Sequence, residues 1–354
     1  MRRTLILFLS AVGLLVLGGS AISRSEAGSD LITGERVSLT RPPSWTFSGA
    51  WASDDTLLLV DVLRSQIKSY SSSGTFEGPI TKEYKGQRFT KPLSIQYAPG
   101  GRFWVEDEDG RFVLLDSGYR ILKVIDLKAL AKGSFGELRA VYQWVALDKE
   151  FFIFGDLLKG ADATSAFMRI PLDHPEQSQV IARIGLDDPA RRFYFLGSPY
   201  LAAAKGNLYY VVLDQMPYVA GLPNEKKVYF TAGTAKRVTE RPSLPKELGP
   251  KSTSDIYKTL EESTMPAGLY GWHDSLYSLV RTPATLGRTN WLLLKVDPKT
   301  GGTVWSRPID SIANHLVVVP GDGYWAFVEK GPVESAGLQQ VTSFLRVPSQ
   351  QFER

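Results

Sequence analysis

Between Met265 and Ile309 the hydrophobic positions fall into four short runs. Gly268 to Trp272 is apolar, His273-Asp274-Ser275 breaks the run, and Leu276 to Val280 returns. After a polar loop Trp291 to Val296 runs out again, Asp297 to Gly301 turns the chain, and Val304 to Ile309 closes the pattern. Runs rich in Leu, Val, Tyr and Trp between Gly, Pro and Asp clusters predict a four-stranded antiparallel meander. One such sheet leaves an apolar face uncovered, so it needs copies to stack against.

Imperfect copies recur along the chain. The first tight turns fall at Asp54, Gly100, Asp148, Gly206, Asp274 and Gly321, with gaps of 46, 48, 58, 68 and 47 residues. The strands after them are expected at Thr56–Asp61, Arg102–Asp107, Phe151–Asp156, Leu208–Asp214, Leu276–Arg281 and Tyr324–Glu329, and five of the six end in a carboxylate. Third strands are expected at Gln66–Ser71, Arg111–Asp116, Phe167–Leu172, Lys227–Thr231, Trp291–Val296 and Thr342–Val347. Fourth strands are expected at Ile80–Tyr84, Ile121–Leu127, Val180–Ile184 and Val304–Ile309. The last unit runs out of chain after its third strand. Arg36 to Thr40 alternates and has no hairpin partner nearby, so it is expected to supply the missing strand. The expected fold is all-β, a six-bladed β-propeller of four-stranded antiparallel blades over residues 45–348. Residues 28–44 form a connector that contains the closing strand, and 349–354 a C-terminal tail.

The repeat resembles the blades of six-bladed propellers of the NHL and TolB-like group. Trp51-Ala-Ser-Asp-Asp-Thr-Leu-Leu-Leu-Val-Asp61 and Ser69-Tyr-Ser-Ser-Ser-Gly74 carry the likeness. It implies the fold and no particular activity. Lys295-Val-Asp-Pro-Lys-Thr-Gly-Gly-Thr-Val-Trp305 is similar to the repeat of quinoprotein-type eight-bladed propellers. It occurs once, whereas a pyrroloquinoline quinone enzyme would repeat it around the ring.

Loops joining strands two and three emerge on the same face as the links between blades. The long departures are all of these two kinds: Leu157–Ala166, Gln215–Lys226, Thr282–Asn290, Lys330–Val341 and the inter-blade insert Gly233–Met265. Within that insert Ile256, Tyr257 and Leu260 are helically spaced after a Ser/Thr start, which predicts a short helix over Ser252–Ser263, between blades four and five. The loop-rich face of blades three to six is therefore the expected binding surface, with neutral insertion as the alternative.

Met1-Arg2-Arg3 followed by apolar Leu5 to Gly18 has the form of a secretory signal peptide over residues 1–27, and an uncleaved anchor is the alternative. No later segment has the length and apolarity of a membrane span. The chain has 41 basic and 37 acidic residues; beyond residue 27 the counts are 38 and 36, a charge of +2 that gives no basis for nucleic-acid binding. The absence of cysteine excludes disulfides, thiolate metal sites and a cysteine nucleophile. Export without cysteines or an Asn-x-Ser/Thr sequon fits a bacterial periplasmic or secreted protein.

Aligning the first strands on their turns puts Ser48, Ser94, Tyr142, Tyr200, Gly268 and His315 in one column near the channel entrance. These polar groups could hold a small ligand or satisfy backbone groups beside the channel. The expected ligand-binding residues are Tyr142, Tyr200, Trp144, Tyr270, Trp272 and His315, with Tyr218 a further aromatic for stacking on a sugar or an apolar side chain. No catalytic residue, metal ligand or cofactor is assigned. Glu106-Asp107-Glu108-Asp109-Gly110 could offer oxygens to Ca²⁺, but Asp-Gly between alternating strands is a hairpin signal in its own right. Asp61, Asp107, Asp156, Asp214 and Glu329 are expected to bond to turn amides. Of the three histidines, His174 and His273 lie in turns. The expected function is a binding or scaffolding module for a protein, peptide or glycan, more readily than an enzyme. The alternative is a metal-dependent hydrolase or lactonase like the gluconolactonase propellers, whose metal is held by Glu, Asn and Asp; here the column has no carboxylate, and Asn314 alone lies nearby.

Overall fold

The computed structural model describes residues 31–80, 89–127, 129, 137–147, 149–159, 162–183, 199–211, 218–222, 227–229, 265–282, 291–299, 303–313, 315–333 and 339–353. The sequences that predict a signal peptide and a helix over Ser252–Ser263 lie outside the described residues, as do Asp214 and Asn314.

The strands pair into six antiparallel sheets of four. Five are contiguous in sequence. The first is β2 (Gly49–Ser53), β3 (Thr56–Asp61), β4 (Gln66–Ser71) and β5 (Phe76–Ile80); the second is β6 (Ser94–Ala98), β7 (Arg102–Asp107), β8 (Arg111–Leu115) and β9 (Ile121–Asp126). The third is β10 (Glu137–Ala146), β11 (Glu150–Lys159), β12 (Asp162–Pro171) and β13 (Gln179–Arg183). The fourth is β14 (Tyr200–Ala204), β15 (Asn207–Val211), β16 (Tyr218–Leu222) and β17 (Lys227–Tyr229); the fifth is β18 (Met265–Trp272), β19 (Ser275–Arg281), β20 (Trp291–Val296) and β21 (Thr303–Pro308). The remaining sheet is composite: β22 (His315–Val319), β23 (Tyr324–Val333) and β24 (Gln339–Pro348) are completed by β1 (Glu35–Ser38) from the other end of the chain. The arrangement is a β-propeller.

The sheets stack because their second strands are apolar on both faces. In β3, Leu57 and Leu59 pack with Val317, Val319, Val328 and Phe344 of the composite sheet. Leu58 and Val60 pack on the other side, against Ile95, Phe103, Val105 and Val113 of the second sheet. Strand alternation thus sends one apolar run into two cores. Equivalent cores join the second sheet to the third, the third to the fourth, the fourth to the fifth, and the fifth to the composite sheet.

Closure is held by more than the β1 ladder. Arg36 donates to both oxygens of Glu329, at 3.0 and 3.2 Å, and to the carbonyl of Asp310. The connector after β1 is pinned to the first sheet: the buried Lys68 ammonium lies 2.9 Å from Asp61 and donates to the carbonyls of Arg41 and Pro42, and Tyr70 donates to Arg41. Gly74 has φ +83°, and a Cβ there would strike the carbonyl of Ser38. The carbonyl of Gly74 in turn accepts from the Thr40 amide at 2.9 Å.

Several expected boundaries are corrected. Leu157–Ala166 and Lys330–Val341 are not loops throughout, because β11, β12, β23 and β24 continue as long hairpins. Tyr218–Leu222, expected within a loop, is the third strand of its sheet, and Lys227–Tyr229 is the fourth; its Tyr-Val-Ala-Gly-Leu content suits a strand better than the length pattern suggested. The fourth strand of the first sheet is Phe76–Ile80, earlier than expected, because the Gly74 turn reverses the chain at once. The C-terminal residues are not a free tail. A short helix, α1 (Gln350–Glu353), puts fully buried Phe352 4.3 Å from the Trp325 ring, nearly parallel to it. Lys295 and Tyr277 donate to the Phe352 carbonyl. Among the described residues no helix is long and apolar enough to cross a membrane.

Two substitutions test this account. Gly74→Ala is expected to destabilise by about 2 kcal/mol or more, since it combines a positive φ with a backbone clash. Lys68→Met is expected to cost roughly 3 kcal/mol because it strands the buried Asp61 carboxylate. Denaturant unfolding measures both, and wild-type midpoints would refute the pinning of the closing segment.

Candidate functional site

The antiparallel order brings three things to one end of the stack: the starts of the innermost strands, the ends of the second strands, and the connectors between sheets. The aligned column lies at this end, and its members divide into two groups.

Over the first two sheets the column, through Ser48 and Ser94, joins neighbouring sheets, while Tyr142 of the third bonds within its own sheet. Innermost strands of adjacent sheets do not pair directly, so side chains bridge them. Ser48 Oγ donates to the Ile95 carbonyl at 2.9 Å and accepts from the Ile95 amide at 3.0 Å. Gln96 does the same one sheet further on, donating to the Trp144 carbonyl and accepting from the Ala146 amide. Ser94 donates to Glu106 at 2.7 Å, and Trp144 Nε1 donates to both Ser94 and Glu106. Trp144 is only 3% exposed and meets Phe112 and Phe151 edge-on, so it is a core residue with no free face for a ligand. Tyr142 donates to Asp156 at 2.7 Å, which also accepts from Ser165.

Over the last three sheets the column holds Tyr200, Gly268 and His315. Tyr200 is half-buried, and desolvation pushes its phenol up to about 12. Tyr270 is raised further, by desolvation first and then by the nearby Tyr200, while a hydrogen bond with the Val318 backbone opposes the rise. A Cβ on Gly268 would collide with the Tyr270 ring, so the missing side chain in the column is what admits the tyrosine. Trp272, 9% exposed, stacks on His273 and meets Trp325 edge-on in the core between the fifth and composite sheets. It too is a packing residue. The side chain of Tyr218 lies outside the described residues.

His315 differs from all of these. It is exposed, yet its pKa falls to about 4, by desolvation first and then through the charges of Lys330 and Arg281. Its register partner across β22 and β23 is Lys330. Lys330 is 3% exposed, and burial lowers its ammonium to about 8. Its Nζ lies 4.4 Å from the centre of the Phe47 ring, a cation–π contact. Phe47 is 54% exposed in the connector before β2, with the Trp45 ring 4.8 Å away. Ile312, 75% exposed, sits in the connector before β22. Neither Lys330, Arg281 nor Phe47 was singled out by the sequence. The available signal was one lysine continuing the apolar run Tyr324–Glu329.

The strand-end carboxylates are engaged elsewhere. Asp61 accepts from the Ser44 and Arg64 amides, and Asp107 from the Thr90 and Lys91 amides and from Arg111. Glu329 accepts from Arg36, Ser311 and Ser343, side chains where turn amides were expected. Asp107 and Glu106 are buried, and Glu108–Gly110 forms a tight helical turn between β7 and β8. Among the described residues, no three His, Asp or Glu side chains gather as metal ligands would. His174 and His273 are exposed; His273 bonds Asp322 at 3.0 Å and His174 bonds Glu176.

No family model and no curated protein matches the sequence. Solved structures with the same architecture include a member of the DUF4221 family from Bacteroides vulgatus, with a TM-score of 0.53 and 11% identity, covering 90% of this chain and 98% of that one. A structural-genomics protein of unknown function from Bacteroides thetaiotaomicron has a TM-score of 0.51 and 14% identity, covering 89% of this chain and 73% of that one. At such identities the likeness carries the propeller fold alone.

Glu106 supplies a pH test. Burial pushes its carboxyl from the ordinary 4.5 up to about 7, against the opposing bonds from Ser94 and Trp144. A raised folded-state pKa gives stabilisation that is complete below about 4.5 and lost as the pH rises through about 7. Relative to Glu106→Gln, the wild type should therefore lose on the order of 3 kcal/mol across that window. Urea unfolding at a series of pH values reads the difference, and a difference that does not change with pH would refute it.

Proposed function

We propose that the chain is an exported six-bladed propeller acting as a binding or scaffolding module for a protein, peptide or glycan, through the face that carries the inter-blade connectors. The observation that carries this reading is the pairing of exposed apolar side chains in two inter-blade connectors, Phe47 and Ile312, with the Lys330 ammonium under the Phe47 ring and its register partner His315. Exposed apolar groups beside convergent polar ones are what a recognition surface needs. Six inter-sheet cores, the last joining the composite sheet to the first, support a closed ring. The charged N-terminus and short apolar run of residues 1–27 support export. The described carboxylates favour binding over a metal-dependent lactonase, since they serve sheet-end hydrogen bonds instead of converging. The expected stacking role of Trp144 and Trp272 passes to Phe47 and Trp45, which lie on the connector face.

The test is capture on glycan and peptide arrays and from exported protein, with the chain from residue 28 onward. Wild type should retain a defined ligand class. Phe47→Ser combined with Ile312→Ser should reduce that capture at least tenfold with an unchanged melting temperature. Equal capture by both proteins would assign binding to another surface.

A further inference from the structure

In the second strands, the residue opposite the turn-aligned column faces the next sheet. In the first, fourth and fifth sheets it is Val60 opposite Ser48, Val211 opposite Tyr200 and Leu279 opposite Gly268, all fully buried. The composite sheet has Lys330 there, opposite His315, and the second sheet has Glu106, opposite Ser94. In the third sheet an irregularity between Val141 and Gln143 interrupts the register. A carboxyl that is 8% exposed thus stands in the second sheet where three other sheets use an aliphatic side chain. Valine would serve the packing without the cost of burying an acid. Ser94 Oγ and Trp144 Nε1 both donate to one oxygen of the group, Oε2, at 2.7 and 2.9 Å. They fix its orientation, and Oε1 has no hydrogen-bond partner among the described residues. Nor does a described cation pair with it: Arg111 bonds Asp107, which strand alternation places on the opposite face, and Lys91 pairs with Glu108. The groups packed on it from β6, β8 and β10 are Ser94, Phe112 and Trp144, none of them ionisable, and Asp156 of the third sheet is held by Tyr142 and Ser165.

We propose that Glu106, at the connector end of the stack between the second and third sheets, anchors a site for the primary ammonium of a lysine side chain on a peptide or protein partner. The inference rests on the binding-module reading and names what its ligand carries. An ammonium at Oε1 would give the buried carboxylate its counter-charge, in surroundings that strengthen the pair over one in water. One free oxygen suits the point charge of lysine, whereas the arginine fork is matched by two. The flanking Trp144 and Phe112 are core residues, 3% and 0% exposed, so a bulky group has no approach. Lysine carries its charge on a narrow four-carbon stem, while an amino sugar bears it directly on the ring.

Trp144 Nε1 reports on the carboxyl, and Glu106→Gln identifies its signal among the eight indole N–H resonances. Nα-acetyl-lysine N-methylamide titrated into the folded protein at pH 8 should shift that signal saturably. The norleucine analogue, which lacks the ammonium, should not bind, and the arginine analogue and glucosamine should bind more weakly. Glu106→Gln keeps an acceptor for Ser94 and Trp144, so it should stay folded yet bind the lysine analogue about tenfold more weakly or worse, through loss of one charge-assisted pair. Burial lifts the Glu106 carboxyl to about 7 and a proton competes with the ammonium, so affinity should fall about a hundredfold from pH 8 to pH 5. No saturable shift, equal binding of the norleucine analogue, undiminished affinity in Glu106→Gln, affinity that does not change with pH, or tighter binding of the arginine analogue or glucosamine would each overturn the proposal. Array capture lost in the Phe47/Ile312 double variant but unaffected by Glu106→Gln would leave the binding module standing without this site.

Discussion

Every sheet in this protein is apolar on both faces, and the rest of the structure follows from that constraint. An antiparallel sheet in a two-layer fold keeps one face for water and alternates accordingly. Here Leu57, Leu58, Leu59 and Val60 are all fully buried, two on each side, and Phe103 to Val105 repeats the pattern. A sheet of this kind needs a neighbour on either side, and a row of such sheets has no end unless it closes on itself. The composite sheet supplies that closure. Its outer strand comes from the far end of the chain, so the apolar face of the first sheet and the edge of β24 are covered together.

Stacking twisted sheets face to face leaves gaps near the axis, where the innermost strands come closest without pairing. Polar side chains fill these gaps. Ser48 and Gln96 each offer a donor and an acceptor to the next sheet's backbone, while Ser94 works through the indole of Trp144. In the composite sheet His315 and Lys330 face each other across the β22–β23 register, and Lys330 reaches the Phe47 ring ahead of the first sheet.

Much of this was legible in the chain. Turn residues and apolar runs located the start of each second strand to within a residue, because Gly and Asp turns and apolar runs are local signals. Arg36 to Thr40 stood out as an unpaired strand for the same reason. Tyr218 to Leu222 escapes the pattern because it lies in the longest interval between turns, the 68 residues from Gly206 to Asp274, where the repeat gives no marker for a strand. Trp144 and Trp272 looked like binding aromatics because their position in the strand resembles that of surface residues, and only packing reveals that neighbouring sheets cover them. His315 was found by alignment on the turns, but its partners were not. Lys330 belongs to the same sheet across a register that no local pattern reports, Arg281 comes from the preceding sheet, and Phe47 from the opposite end of the chain.

By itself, the sequence determined the class of fold, the meander unit and the need for a closing strand, since each depends on contacts between residues near in sequence or on the period of side chains along a strand. The tertiary structure decided which polar residues of the column would be consumed in joining sheets and which left facing solvent. That division depends on distances between strands remote in the chain and on the dielectric around each side chain, and both exist only once the sheets have stacked.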